Sequence, residues 1–168
     1  MIDSRGRAIA EIRSALADLD LEATETSEGL FSVRLPGTAK LITDCALEVG
    51  RYGVSVRAFV ARRPDENHAA VYKWLLEQNL RLYGVSFSLD ALGDIYLTGK
   101  VALELISAAE VDRVLGAVAT TADLSFNVIL ELGFADSIRR EWAWRRSRGE
   151  STANLAAFSH LQPPPDDE

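Results

Sequence analysis

Apolar positions along the chain recur with two periods, and each change of period marks an element. Ile9, Ile12, Leu16 and Leu19 share one stripe of a helix running from about Ser4 to Asp20, with Ser4 as its N-cap. An acidic segment holding Glu22, Glu25 and Glu28 follows, read as a solvated linker or an edge strand. The period then drops to two. Leu30 to Leu35 ends at the turn signal Pro36-Gly37, Leu41 to Val49 alternates through Thr43, Cys45 and Leu47, and Gly50 to Gly53 reverses the chain. Val54, Val56, Ala58 and Val60 then alternate with Ser55, Arg57, Phe59 and Ala61. Alternation gives each strand one apolar face, and connections this short make the three strands antiparallel neighbours.

Pro64-Asp65-Glu66-Asn67 stops the strands and opens a second helix, with Asp65 or Asn67 as its cap and Val71, Trp74, Leu75, Gln78 and Leu82 on its apolar face. A hairpin comes next. Val85, Phe87 and Leu89 form one apolar row and Ile95, Leu97 and Gly99 the other, around Asp90-Ala91-Leu92-Gly93-Asp94, where Gly93 is free to take a positive φ. Ser107 to Glu110 is a capping box ahead of a helix carrying Val111, Val114, Leu115 and Val118, and Gly116 inside it suggests a close approach to a neighbouring element. A second apolar stretch, Leu124 to Phe134, has Gly133 as a candidate C-cap; Ser137 to Arg148 reads as a further helix, and Ser151 to Leu161 as a short final one. The order predicts an α+β fold with an antiparallel sheet of about five strands flanked by helices, in the sequence α-β-β-β-α-β-β-α plus C-terminal helices. One domain is expected over residues 1–161, with a C-terminal helical extension, and a disordered acidic tail over 162–168.

Composition narrows the function classes. The 168 residues are 48% hydrophobic and 26% charged, ordinary for a globular domain, with a net charge of −7. That charge argues against nucleic acid or an anionic membrane as partner. The single cysteine, Cys45, excludes an internal disulfide and sits in an alternating apolar run, where a buried thiol is expected. Residues 1–7 lack the apolar core of a signal peptide, and no apolar run approaches the roughly 20 residues of a membrane span, so the expected location is the cytoplasm.

The catalytic templates fail one by one. Gly93 to Gly99-Lys100 has one spacer residue too many for a phosphate-binding loop, and Gly84-Val85-Ser86-Phe87-Ser88 fails the nucleophile-elbow pattern at its last position. His68, His160 and Cys45 are too few for a usual zinc site, so no metal and no cofactor is expected. A Cys45–His68 pair would need an exposed thiol inside a strand. Asp90 and Asp94 flank one turn, where stabilising side-chain hydrogen bonds are the ordinary role of such residues. The helix from Ser137 onward is different: Arg and Trp are the residue types that most often anchor interfaces. Arg139, Arg140, Trp142, Trp144 and Arg145 are therefore the candidate partner-binding residues, set against a plain reading in which the helix is solvated and its tryptophans lie in the core.

Several segments together resemble the YbjN-domain family, in particular its actinobacterial members. They are Arg63-Pro-Asp-Glu-Asn-His68, Tyr72-Lys-Trp-Leu-Leu76, Asn79-Leu-Arg-Leu-Tyr-Gly84, Asp90-Ala-Leu-Gly-Asp-Ile-Tyr-Leu97, Val111-Asp-Arg-Val-Leu-Gly116 and Ile138-Arg-Arg-Glu-Trp-Ala-Trp144. The resemblance spans most of the chain from Leu30. It implies a fold similar to type III secretion chaperones, often dimeric, and a sensory-transduction or peptide-binding role with no catalytic residues to carry over. The expectation is a cytoplasmic, non-enzymatic protein- or peptide-binding module, chaperone-like or regulatory. It is expected to be a homodimer joined through the first helix or the tryptophan helix, and its peptide partner to add to a strand edge or lie in an apolar groove. Two alternatives stand beside it: an enzyme with an acid/base site around Asp90, Asp94 and Tyr96, and a purely structural oligomerisation unit.

Overall fold

A computed structural model describes residues 3–164. Its elements are α1 (Ser4–Asp18), β1 (Glu22–Ser27), β2 (Leu30–Pro36), β3 (Ile42–Val49), β4 (Gly53–Ala61), α2 (His68–Asn79), β5 (Ser86–Leu89), β6 (Ile95–Ala102), α3 (Ala108–Gly133) and α4 (Ala135–Arg148), with 3-10 segments at Leu103–Leu105 and Ala153–Leu161. The sheet is antiparallel with order β1-β2-β3-β4-β6-β5. It has six strands rather than five, because the acidic segment pairs with β2 as the edge strand β1. The tail expected from Gln162 extends into residues 165–168, which lie outside the described residues.

Alternation decides the core. Phe31, Val33 and Leu35 of β2, Cys45, Leu47 and Val49 of β3, Val54, Val56, Ala58 and Val60 of β4, and Ile95, Leu97 and Val101 of β6 are buried. With them pack Ile9, Ile12 and Leu16 of α1, Val71 and Leu75 of α2, and Val111, Val114, Leu115, Val118 and Ile129 of α3. The opposite sheet face carries Arg34, Asp44, Arg57 and Lys100, all exposed. α1 starts one residue earlier than expected from its cap: Asp3, not Ser4, is the N-cap and accepts from the Gly6 N–H. Arg7 ties α1 to the 3-10 turn after β6 by donating to the carbonyls of Leu103 and Ile106.

α3 is one continuous helix of 26 residues, about 39 Å at 1.5 Å per residue, where the sequence suggested two stretches. It is long and apolar enough to cross a membrane by length and composition. Here its apolar stripe lies in the core, with Asp112, Arg113 and Asp123 among its other residues. Ser107 caps it as predicted, its hydroxyl accepting from the Glu110 N–H at 3.2 Å. Gly116 marks no close approach: a Cβ built there meets nothing within 4 Å.

The close approach is at Gly133, where α3 turns into α4 and a Cβ would come within 2.9 Å of Pro64 Cβ. Pro64 opens the loop that was read as the cap of α2, and that reading is corrected. Asn67 is the N-cap by position but its side chain makes no cap bond to α2; it donates instead to the Leu132 carbonyl at 3.2 Å. The N–H groups of Asp65 and Glu66 donate to the Gly133 carbonyl at 3.0 and 3.2 Å. The Glu66 carboxylate accepts from the Asp136 N–H at 2.8 Å, and Asp65 accepts from the Ser137 hydroxyl at 2.9 Å. Glu66 therefore caps α4 from outside, at the positive end of its dipole, and Asp65 holds the Ser137 side chain of its first turn. Beyond this corner Ile138, Trp142, Leu155 and Phe158 form a second small cluster.

Candidate functional site

The five residues singled out on the tryptophan helix do not form one surface. Trp142 is buried, 6% exposed, in the second cluster, whereas Trp144 is 44% exposed. Two residues apart on a helix, they point to different sides. Arg139 pairs with Asp136 at 2.6 Å, Arg140 donates to the Ser137 hydroxyl at 2.9 Å, and Arg145 is held by Glu141 at 2.6 Å and by the Ser151 carbonyl at 2.9 Å. Three of the cations thus serve local contacts, and Trp144, with Arg148 stacked 5.0 Å from its ring, is the member most open to a partner.

At the β5–β6 turn Gly93 has φ +87. Asp90 accepts from the N–H groups of Leu92 and Asp94, at 2.9 and 3.0 Å, and Asp94 accepts from the Arg63 N–H at 2.7 Å. Tyr96 packs edge-on to Phe59 and under the Arg57 guanidinium at 4.1 Å. These carboxylates organise backbone rather than face a substrate cavity. Cys45 is buried in β3, and burial pushes its thiol up to about 12, the inert rather than the nucleophilic form. His68 donates its Nε2–H to the Pro64 carbonyl, 2.8 Å away.

Both ends of the sheet expose an edge, and the two edges differ. On β5 the outward N–H and carbonyl of Phe87 are both taken by the Asn79 side chain, at 2.7 and 3.2 Å. An asparagine amide can present one N–H and its carbonyl in the geometry of a peptide group, so Asn79 occupies that edge at Phe87 as one residue of a neighbouring strand would. Among the described residues the outer edge of β1 has no such partner. Beside it lies a recess of about 210 Å³ between α1 and β1, walled by Leu16, Ala17, Leu21, Ala23 and Phe31. Arg13 closes one side through its ion pair with Glu25 at 2.8 Å, and a backbone hydrogen bond from Gly29 holds the Glu25 carboxyl below its usual range.

The end of α2 and the turn that follows it carry an apolar patch that was not singled out from the sequence. Leu76 on α2, and Leu80 and Tyr83 beyond its last residue Asn79, are 67%, 88% and 81% exposed. The signal was present: large apolar side chains left together on a surface favour a partner that covers them. α1, by contrast, has its apolar stripe in the core.

A chain of the heterodimeric ExoU–SpcU complex from the type III secretion system of Pseudomonas aeruginosa superposes with a TM-score of 0.52 at 14% identity, covering 72% of this chain and 96% of that one. A chain of the ExsC–ExsE complex gives 0.50 at 14% identity, covering 73% and 91%. At that identity the likeness is one of fold, and the fold is the type III secretion chaperone-like one. An uncharacterised protein of Mycobacterium tuberculosis is 57% identical over 131 residues, 78% of this chain and 72% of its own length. An uncharacterised protein of Mycobacterium leprae is 48% identical over 164 residues, 95% of this chain and 89% of its own. Residues 8–131 match the YbjN family, described as "Putative bacterial sensory transduction regulator", and the chain belongs to that family.

Proposed function

We propose that the chain is a non-enzymatic protein-binding module, chaperone-like or regulatory, that takes an extended segment of its partner as an added strand on β1. One observation carries this reading: Asn79 occupies the β5 edge at Phe87, while the β1 edge is left open beside an apolar recess. An added strand gains main-chain hydrogen bonds from the edge, and every second side chain of it can reach the recess. The fold, shared with chains found in complexes with other proteins, supports the same reading. A second copy of the chain covers the Leu76–Leu80–Tyr83 patch, making the working unit a homodimer. A buried, protonated cysteine suits the reducing cytoplasm as its location.

The test combines capture with mapping. Partners are captured from native lysate on the wild type and on Ala23→Arg, which fills the recess from an exposed strand position. Hydrogen exchange is then followed on the purified complex. Protection over residues 22–27, lost in Ala23→Arg, supports strand addition. Protection elsewhere refutes the site, and a stable dimer that captures nothing leaves a structural oligomerisation unit as the reading. Sedimentation of Leu80→Glu, expected to be monomeric, tests the dimer separately.

A further inference from the structure

The corner between α3 and α4 leaves a cleft of about 430 Å³ against the end of β4. Small-ligand sites span roughly 300–1,000 Å³ and are mostly apolar with a few placed polar groups. Phe59, Phe126, Leu130, Phe134, Ile138 and Leu155 supply the apolar walls. The polar groups on the walls are Lys40, Arg62, Ser137 and Glu141, and three of them are engaged. Arg62 binds Asp65 through both nitrogens at 2.5 and 2.9 Å, Ser137 donates to Asp65, and Glu141 holds Arg145.

Lys40 is the exception, and it is held in place. Asp123 on α3 accepts from the N–H groups of Thr38, Ala39 and Lys40 at 2.8, 2.8 and 3.0 Å, which staples the β2–β3 loop to the helix. Those hydrogen bonds hold the Asp123 carboxyl below its usual range. A Cβ at Gly37 would stand 2.7 Å from the same carboxylate oxygen, so the staple needs glycine there. The Lys40 ammonium lies 5.5 Å from the Phe59 ring centroid and 5.1 Å from that of Phe126, one ring on each wall. Among the described residues it has no ion pair. Asp44, whose charge reaches it, instead faces Arg34 at 3.7 Å. Partial burial lowers the Lys40 pKa from its usual value. A desolvated ammonium gains more from an arriving anion than an exposed one does.

We propose that this cleft binds a small organic acid, an alkyl or aromatic body bearing one carboxylate, with the carboxylate on Lys40 and the body among the phenylalanines. The site is separate from strand addition at β1 and stands without it. Two features favour a single acid over a length of protein chain: the volume is that of one small-ligand site, and it offers one uncommitted charge.

Octanoate and its uncharged counterpart octan-1-ol, titrated calorimetrically into the full chain, test this. Octanoate is expected to bind once per chain and about tenfold more tightly than the alcohol, which is about 1.4 kcal/mol, the size of one charge-assisted hydrogen bond. Lys40→Met keeps the stem, removes the charge and is expected to erase that preference; Lys40→Arg is expected to retain it. Leu130→Trp fills the cleft and is expected to abolish binding of both. Thermal melts verify folding, and Leu155→Phe replaces Leu130→Trp if the latter fails to fold. The proposal is overturned by absence of saturable octanoate binding, by equal affinities for acid and alcohol, by a preference that survives Lys40→Met, or by undiminished binding in a folded, filled variant. It also falls if neither ligand binds and a captured protein protects the amides lining the cleft.

Discussion

Gly116 and Gly133 lie on the same helix, and alanine should act on them with opposite sign. At Gly116, exposed in mid-helix, an added Cβ meets nothing within 4 Å. Alanine there relieves the conformational freedom of glycine in the unfolded chain and should stabilise by about 0.5–1 kcal/mol. At Gly133 the same methyl group would stand 2.9 Å from Pro64 Cβ and 3.2 Å from Val71 Cγ2. Neither neighbour yields easily. Pro64 is a rigid ring, buried, in a loop pinned by two hydrogen bonds to the Gly133 carbonyl itself and by the Glu66 bond to α4. Val71 is 0% exposed. Overpacking of this kind costs about 1–3 kcal/mol, which outweighs a propensity gain of at most about 1 at the helix end. Gly133→Ala should therefore destabilise by about 1–2 kcal/mol. For a chain of this size about 1 kcal/mol moves Tm by about 2–4 °C, so the two variants should melt about 3–12 °C apart, on either side of wild type. Thermal and urea denaturation followed by circular dichroism at 222 nm read both. A Gly133→Ala protein that melts at or above wild type refutes the tight corner and the account of α4 built on it.

Trp142→Ala should cost about 3–5 kcal/mol and release the 3-10 segment Ala153–Leu161 to hydrogen exchange, because Trp142 is the largest member of a four-residue cluster, whereas Trp144→Ala should stay within about 0.5 kcal/mol. Trp142→Phe should be far milder than Trp142→Ala, since the indole N–H it removes is buried with no hydrogen-bond partner among the described residues. Hydrogen bonds from Arg62 and then Ser137 hold the Asp65 carboxyl at about 2 in the folded state. Its contribution is therefore present above pH 4 and lost as pH falls toward 2; for so exposed a pair it should be at most about 1 kcal/mol, read as the gap in urea midpoint between wild type and Asp65→Asn, which should close across that window. Cys45, with its thiol pushed up to about 12, should resist Ellman's reagent at pH 8 in the native state and react as one thiol in guanidinium chloride; prompt native labelling would contradict its burial.

The strands β2 to β6 were legible because each has one buried and one open face, and alternation reports that difference directly. β1 was legible only as one of two readings, linker or edge strand, because Glu-Ala-Thr-Glu-Thr-Ser has no apolar row: its burial pattern is exposed almost throughout. It is a strand because β2 offers it a ladder, with Arg34 facing Glu22 across the pair at 3.3 Å and Arg13 reaching Glu25 from α1. The continuity of α3 was hidden by the run Thr120-Thr121-Ala122-Asp123, which separates the two apolar stretches and which packing overrides. The loop Pro64–Asn67 carries the residue types of a helix cap, and it is a cap, but of α4 some seventy residues onward. Local chemistry names the device and leaves the recipient open. The candidate site was least legible. The tryptophan spacing was enough to separate Trp142 from Trp144, but Lys40 has no sequence signal at all, since its role depends on Asp123 eighty-three residues away.

The match to the family ends at residue 131, yet the geometry does not divide there. Pro64, Asp65 and Glu66 lie inside the matched region, and the groups they fix, Gly133, Asp136 and Ser137, lie beyond it. α4 is thus aimed by a loop of the sheet domain rather than by its own sequence, whose apolar content is too small to choose a direction. The cleft inherits this dependence. One wall comes from β4 and the first part of the chain, the other from α3 and α4, and its single uncommitted charge comes from a third element stapled to α3. The open β1 edge needs none of these parts: it is made by β1, β2 and α1 alone. Partner binding at the edge and ligand binding at the corner therefore rest on separate sets of residues. A coupling between them would run either through α3, which packs on the sheet core and through Leu130 on the C-terminal cluster, or through the sheet, since β4 walls the cleft and is joined to β1 by β3 and β2.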